Sequence, residues 1–285
     1  MHFKYYTLCL VNLVSRLVPV RVGYFIADRG GDIFYHFSRK RRANIAGNIQ
    51  RVMDQKEDPA TLRRQVRCVF RNAAKNYFDL TRLAYVDLDN LDGRVKIEGL
   101  DNLSGAASRG KGVVLATAHL GNFETSAHIV ASRGYDMTIP VEAYEDTPFL
   151  RKLAGLRSGK RVRIVPVGVK GIKECLQTLH RGGIVTIVCD RDLQGNGIKA
   201  EFFGKPTSFP PGPVDLAMRT GAVVVPCFSL RGPKNTTRIY FEPPLKMSDN
   251  ENHDQALKAN LASLVAVMEK YIRQYPDQWV VLEPI

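Results

Sequence analysis

The sequence predicts an α/β fold with a mostly parallel central sheet flanked by helices, preceded by a helical N-terminal part. After Gly93, short β-branched segments alternate with helical ones, which is typical of a parallel sheet with helices on its faces. In about the first 85 residues, apolar side chains instead recur at helical spacing. We therefore expect residues 1–90 to be helical and to pack on an α/β core of residues 91–285, within a single structural domain.

The first helical segment is apolar but short. Tyr5–Ser15 is an uncharged run of about eleven residues, whereas about 20 are needed to cross a bilayer. The N-terminal segment lacks the basic region and the small-residue cleavage site of a signal peptide, so we do not expect one. Two interpretations remain open: a core helix, or an interfacial helix lying on a membrane. In the second case, the basic residues Arg39–Arg42 would add attraction for anionic headgroups.

The next elements follow from periodicity. Pro59 begins an amphipathic helix whose apolar stripe we assign to the core: Leu62, Val66, Val69, Phe70, Ala73, Tyr77 and Leu80. The predicted strands are Val95–Glu98, Gly112–Ala118, Met137–Val141, Val162–Val167, Ile184–Cys189, Ala222–Leu230 and Arg238–Glu242. The predicted helices between and after them are Glu124–Ser132, Thr147–Leu156, Gly171–His180, Pro213–Thr220 and His253–Tyr275.

Charge and cysteine content restrict the partners. Lys+Arg number 41 against 28 Asp+Glu, a net charge of +13, which suits nucleic acid, a membrane surface or an acidic cofactor. No recognisable nucleic-acid-binding module accompanies the charge, so we do not expect nucleic acid. The five cysteines contain no CxxC pair, which predicts reduced thiols and no zinc site.

The strongest candidate site is Gly112–Glu124, a buried strand that runs through a polar turn into a helix. Open α/β sheets place their chemistry at such strand ends. His119 can exchange a proton near neutral pH, and the turn can fold Glu124 back to hold its ring. In the alternative interpretation, His119 is a satisfied polar residue and Glu124 only favours the helix start. A metal site that includes His128 is disfavoured, because the spacing is not that of HExxH.

Three further segments carry polar or aromatic side chains after predicted strands. Asp190-Arg191-Asp192 follows Ile184–Cys189 and is either a metal–nucleotide site or a salt-bridged turn. Glu142 and Glu145 follow Met137–Val141 and are either surface charges or part of an active-site mouth. Phe202-Phe203-Gly204, followed by a proline-rich loop, is either a strand and rigid loop or an aromatic wall over an apolar ligand channel.

In their order along the chain, these segments resemble the lipid A biosynthesis acyltransferase family of the lysophospholipid acyltransferase group, whose mark is His-x4-Asp or His-x4-Glu. The resemblance covers nearly the whole chain. It rests on His119–Glu124, Ile164-Val165-Pro166, Asp190-Arg191-Asp192, Glu201–Gly204, Pro210–Pro213, Arg219–Ala222 and Pro276–Trp279. Within the family, the C-terminal segment looks closer to phosphatidylinositol mannoside acyltransferases, although that branch usually has Asp at the position of Glu124.

The resemblance implies a glycerol-3-phosphate-acyltransferase-like core and an O-acyltransferase reaction, with His119 as general base oriented by Glu124. The donor would be acyl-CoA or acyl carrier protein and the acceptor a glycolipid or phospholipid hydroxyl, with no cofactor and no metal. It implies a peripheral, membrane-associating protein on the cytoplasmic face of the bacterial plasma membrane. The substrate-binding residues that it implies are Asn122, Glu142, Arg157, Asp190, Arg191, Asp192, Glu201, Phe202 and Phe203.

Two other functions remain open at this stage. Asp190 and Asp192 could serve a metal-dependent glycosyltransferase, or the chain could be a lipid-binding protein that does not catalyse transfer. Chelator-sensitive turnover of a nucleotide sugar would favour the first, and lipid binding without acyl transfer would favour the second.

Overall fold

The computed structural model describes residues 2–88, 93–142, 147–248 and 250–285. The predicted boundary at residue 90, and Glu145 among the candidate residues, lie outside these ranges. The α-helices are α1 (His2–Leu17), α2 (Val20–Phe37), α3 (Arg39–Val52), α4 (Pro59–Arg82), α5 (Leu100–Ala107), α6 (Phe123–Ser132), α7 (Pro148–Arg157), α8 (Val169–His180), α9 (Gly212–Thr220) and α10 (His253–Gln274). The strands are β1 (Val95–Glu98), β2 (Val113–Thr117), β3 (Met137–Val141), β4 (Val162–Pro166), β5 (Ile184–Val188), β6 (Ile198–Phe202), β7 (Lys205–Phe209), β8 (Val223–Arg231) and β9 (Thr237–Phe241).

Seven of these strands form one sheet in the order β1-β9-β8-β2-β5-β3-β4. The β8–β9 pair is antiparallel and the other neighbouring pairs are parallel. The predicted α/β class with a mostly parallel sheet and an N-terminal helical part is therefore confirmed. Strand β2 lies at the centre, and its carboxyl end shares an edge of the sheet with those of β8, β5, β3 and β4.

The sequence did not predict α5 or the separate antiparallel hairpin of β6 and β7. Helix α5 has only eight residues, too few for a clear periodic pattern, and it follows Gly99 in a left-handed conformation. Strand β7 contains Pro206, a residue that argues against a central strand but is tolerated in an edge hairpin.

The core has two layers, one on each face of β2. Val114 and Ala116 join the layer that includes α9 and α10, whereas Val113 and Leu115 join the layer that includes α5 and α6. Because successive strand residues point to opposite faces, a strand buried on both sides is apolar throughout. All five β2 residues are buried, which fixes the position of the loop that follows.

Helix α4 supports this loop from the N-terminal side. Asp58 caps it by accepting from the Ala60 and Thr61 amides at 2.9 and 3.0 Å. Its predicted stripe is buried at Val66, Val69, Phe70, Ala73 and Leu80, but Tyr77 is 51% exposed and does not belong to the core.

Helices α1 and α2 pack on α4 through one face and leave the other uncovered. Asp32 of α2 is buried and accepts two hydrogen bonds each from Arg67 and Arg71 of α4. These bonds hold the pKa of Asp32 well below its usual range. In α1, Leu8 is buried whereas Leu17 is 81% exposed, so the helix is core on one side only. Within the described ranges, none of the helices combines the length and apolarity needed to cross a membrane.

Candidate active site

His119 and Asp190 meet at the carboxyl edge of the sheet. Their strands β2 and β5 are parallel neighbours, with Thr117 opposite Val188, and each side chain lies two residues beyond its strand end. Parallel strands deliver their following residues to the same edge. The two side chains are therefore brought together by sheet order, although 71 residues separate them in sequence.

Asp190 holds His119 through both the ring and the backbone. Its Oδ1 lies 2.7 Å from His119 Nδ1, and its Oδ2 accepts from the His119 amide at 3.0 Å and from Trp279 Nε1 at 2.7 Å. Burial of Asp190 opposes its ionisation, but the His119 ring and these hydrogen bonds outweigh burial and lower its pKa. A charged carboxylate therefore faces Nδ1 of His119.

The C-terminal segment closes over the same loop. The Val280 amide donates to the His119 carbonyl at 2.7 Å, and the Gly121 amide donates to the Gln278 carbonyl at 2.9 Å. Leu120 and Trp279 form an isolated antiparallel bridge between these contacts. Trp279, the only tryptophan, belongs to the Pro276–Trp279 segment of the family resemblance, but the sequence did not predict its contact with Asp190.

The turn after His119 requires a glycine and a buried amide. Gly121 has φ 57°, and a Cβ there would overlap the Ser229 carbonyl oxygen. The Asn122 side chain is only 3% exposed and donates from Nδ2 to Asp79 Oδ2 at 2.9 Å. Asn122, predicted to bind substrate, therefore positions the loop from inside the protein.

Asp79 is the centre of a buried polar network behind the loop. It accepts from Arg231 Nη2 at 2.8 Å and from the Tyr24 hydroxyl at 2.6 Å, in addition to Asn122. Asn76 joins the network by donating to the Gly121 carbonyl and accepting from Arg231. Burial, followed by the negative charge of Asp79, raises the pKa of Tyr24. The apolar periodicity of α4 did not predict a role for Asn76 or Asp79, because it indicates only which positions face the core.

Glu124 is paired with Arg157, whereas the sequence predicted that it would hold the His119 ring. It lies in the first turn of α6 and forms an ion pair with Arg157 at the end of α7. No hydrogen bond joins Glu124 to His119 in the described part of the chain, and Asp190 takes the orienting position instead. Arg157, predicted to bind substrate, is held by Glu124, and its carbonyl lies 2.8 Å from His128 Nε2. Burial lowers the pKa of His128, which keeps that ring neutral at ordinary pH.

Glu142 lies one residue beyond β3, at the same edge of the sheet. Burial raises its pKa, while the positive charges of Arg191 and the His119 ring oppose this effect. Arg191 and His119 are therefore among the charged groups that act on Glu142. The assignment of Glu142 to an active-site mouth stays a prediction.

Asp192 has a structural task. Its two oxygens accept from the Gly195 and Gly197 amides at 2.9 and 2.8 Å and from the Ser208 hydroxyl at 2.7 Å. The oxygens of Asp190 are likewise occupied by His119 and Trp279. Among the described residues, no cluster of three or more His, Cys, Asp and Glu side chains has metal-binding geometry.

The hairpin places its three predicted residues in different surroundings. Glu201 is exposed on β6, and Phe203 is half-buried. Phe202 is fully buried and packs edge-on against Trp279, with ring centroids 5.9 Å apart. Phe202 is therefore a core residue that supports Trp279, rather than the wall of an open channel.

The assembled site is suited to general base chemistry. His119 is partly exposed, with a side-chain exposure of 25%, while the carboxylate behind it is fully buried. Its Nδ1 is held by Asp190, and no described residue forms a hydrogen bond with Nε2. An imidazole anchored at one nitrogen and open at the other can accept a proton, and the buried carboxylate stabilises the resulting imidazolium.

Comparison with known proteins identifies the family. The family model described as "Bacterial lipid A biosynthesis acyltransferase" matches residues 1–284. Phosphatidylinositol mannoside acyltransferases from Mycobacterium tuberculosis (strain CDC 1551 / Oshkosh) and Mycolicibacterium smegmatis are 29% and 26% identical over 221 and 224 residues. These matches cover 76% and 77% of this chain but 65% and 71% of the relatives, so the chain spans about two thirds of their length. The match along nearly the whole chain confirms the resemblance: the protein belongs to the bacterial lipid A biosynthesis acyltransferase family.

Proposed function

We propose that the protein is an O-acyltransferase that moves a fatty acyl chain from a thioester donor to a hydroxyl of a membrane glycolipid. The proposal rests on the arrangement of His119. Buried Asp190 holds its Nδ1, and no described residue forms a hydrogen bond with its Nε2. Membership of the family supports the reaction class. The names of the mycobacterial relatives favour a phosphatidylinositol mannoside as the type of acceptor.

In this reaction, Nε2 of His119 removes the proton of the acceptor hydroxyl as its oxygen attacks the thioester carbonyl. The carbon–sulfur bond breaks, and the imidazolium returns the proton to the departing thiolate, so that an ester and a free thiol leave. Base assistance of this kind contributes roughly 10²–10⁴-fold to the rate. Asp190 maintains the tautomer with the proton on Nδ1 and stabilises the imidazolium.

Glu124 takes a different part from the one its spacing suggested. As the partner of Arg157, it keeps that guanidinium beside the first turn of α6. We propose that the pair shapes the site and that Glu142 and Arg191 contribute to its mouth. No group outside the chain other than the donor and acceptor is needed.

The same proposal includes a peripheral position on the cytoplasmic face of the bacterial plasma membrane. Helices α1 and α2 expose large apolar side chains: Tyr6, Leu10, Leu13, Leu17, Val22, Phe25, Ile26, Ile33 and Phe37. Basic residues flank them at Arg16, Arg21, Arg29, Arg39, Lys40 and Arg41. An apolar surface bordered by cations is suited to an anionic bilayer surface. The net charge of +13 suits acyl-CoA and an acidic acyl carrier protein equally, so the proposal includes both as acyl donors.

The test compares His119→Ala with His180→Ala, an exposed histidine at the end of α8. Release of free thiol from acyl-CoA is measured with a phosphatidylinositol mannoside in mixed micelles, and the acylated product is identified by mass spectrometry. We expect His119→Ala to lose several orders of magnitude in rate with unchanged circular dichroism, and His180→Ala to match the wild type. Equal rates for the two variants would refute the proposal. A wild-type protein that binds the lipid without acylating it would favour the lipid-binding alternative.

A further inference from the structure

A cavity of about 700 Å³ lies along the same edge of the sheet as His119 but away from its loop. It is formed by the start of α2, the residue before β1 and the loop between β8 and β9. Three of the residues that line it are cationic, Arg21, Arg94 and Lys234, and none of the described residues that line it is acidic. A concave site with cations from three separate segments is the kind of site that binds an anion.

Within the described ranges, these three cations have no acidic partner. No described carboxylate forms an ion pair with Arg21, Arg94 or Lys234. In the neighbouring cavity of about 370 Å³, by contrast, Arg71, Lys75 and Arg231 are paired with Asp32, Asp28 and Asp79. The two cavities share Lys234, but the cavity at α2 alone combines cations with no acidic side chain among its described lining residues.

The N-terminus of α2 adds to this field. Val20 and Arg21, the first two residues of this 18-residue helix, line the cavity. Pro19 provides no side-chain cap, and the first turn contains no acidic residue. The first amide groups of a helix have no partner within the helix, and its dipole favours negative charge there. A phosphate in the cavity would meet both these amides and the three side chains.

The position of the cavity indicates where such a phosphate comes from. Residues at the start of α2 line it, and the same helix exposes Val22, Phe25 and Ile26 on the surface proposed to contact the membrane. Arg94 precedes β1, three strand spacings from β2 and thus about 14 Å along the edge from the strand that carries His119. A glycolipid whose phosphate lies in the cavity could extend one or two sugar rings toward His119.

We propose that this cavity binds the phosphodiester of an anionic lipid and thereby positions the acceptor glycolipid, an inference that rests on the proposed acyl transfer. Tyr24 connects the two places, because it lines the cavity and its hydroxyl donates to Asp79, which accepts from Asn122 of the His119 turn. The cations of the cavity thus bind the phosphate of the acceptor, and its sugar hydroxyl lies toward His119.

The test measures binding of dioctanoyl phosphatidylinositol, kept below its critical micelle concentration, by isothermal titration calorimetry. The variant is Arg94→Gln/Lys234→Gln, and the control is Arg109→Gln, an exposed arginine near the opposite edge of the sheet. We expect the double variant to bind the lipid roughly ten-fold or more weakly and the control to bind as the wild type does. Acyl-CoA hydrolysis without acceptor, a reaction in which the lipid phosphodiester takes no part, should be unchanged in the double variant.

Equal lipid binding by the double variant and the wild type would overturn the proposal, as would a wild type that does not bind the lipid. Inorganic phosphate that binds the wild type as tightly as the lipid would show a free-phosphate site and overturn the lipid assignment. Coenzyme A that displaces the lipid, with its own binding lost in the double variant, would assign the cavity to the donor instead. If the protein binds the lipid through the two cations but transfers no acyl chain, the cavity assignment is supported and the proposed function is refuted.

Discussion

Replacing Asp190 with asparagine tests which carboxylate orients the base. Asp190 accepts three hydrogen bonds, from His119 Nδ1, the His119 amide and Trp279 Nε1. Asparagine has one acceptor oxygen for these three donors, and its amide group would face one of them. We expect the His119 ring to change tautomer or orientation, and its imidazolium to lose the fully buried negative charge beside it.

The magnitude follows from both losses. Exchange of carboxylate for amide behind the histidine of a serine-protease triad lowers kcat by about 10⁴ while the geometry remains intact. For Asp190→Asn we expect a fall of about 10³–10⁴ in kcat, equivalent to about 4–5 kcal/mol of transition-state stabilisation. Because the change affects the base rather than lipid contacts, KM should change little.

Glu124→Gln should give a different pattern, since its partner is Arg157 and not His119. Arg157→Gln should lower kcat by the same factor as Glu124→Gln, because each substitution removes the same ion pair. The double variant Glu124→Gln/Arg157→Gln should therefore be no slower than the worse single variant, which indicates one shared interaction. Asp190→Asn and Glu124→Gln should instead be close to additive.

The assay is thiol release from acyl-CoA under saturating acceptor, with thermal unfolding as the control for folding. Asp190→Asn with at least a tenth of the wild-type kcat would refute the assignment of the orienting role. Strong coupling between Asp190 and Glu124, with none between Glu124 and Arg157, would restore the pairing that the sequence suggested.

Two further predictions concern the loop and the membrane surface. Gly121→Ala should lower the free energy of unfolding by about 1–2 kcal/mol for its left-handed backbone, and further for the overlap with the Ser229 carbonyl. It should therefore melt at a clearly lower temperature than Gly110→Ala, because Gly110 has a similar φ of 68° but a Cβ there would meet nothing within 4 Å. Equal melting temperatures of the two variants would contradict the crowding argument. Phe37→Asp should weaken cosedimentation with anionic liposomes whereas Val169→Asp, equally exposed at 87%, should not, and equal effects would show that α2 is not the contact.

The fold was predictable because its strongest signals are local. Strand β2 reads as a continuous apolar run because both of its faces are covered, and α10 has a sustained helical period. Elements without such a signal were missed, such as the eight-residue α5. The sequence does not decide whether the first helix is a core or an interfacial helix, and the structure shows why: Leu8 is buried and Leu17 is exposed on the same helix.

The partner of His119 could not be predicted from the sequence. His119 and Glu124 are five residues apart, and proximity in sequence suggested a pair. The real neighbour of His119 depends on β5 lying beside β2, with β3 beyond it, and strand order is not a local property of sequence. The contact between Trp279 and Asp190 was not predictable for the same reason, since a bridge between Leu120 and Trp279 of the C-terminal segment decides where the indole lies.

The buried charges behind the His119 turn contribute geometry more than stability. The Asp79–Arg231 pair is 2.8 Å long, and both side chains are at least nine-tenths buried, so the cost of desolvation cancels much of their attraction. An apolar pair could fill the same volume but could not accept hydrogen bonds from both Tyr24 of α2 and Asn122 of the turn. Asp79 thereby ties the helix proposed to lie on the membrane to the turn that carries the base. Because hydrogen bonds are directional, this network restrains the relative position of the proposed acceptor site and the proposed base, as the proposed transfer between two bound substrates requires.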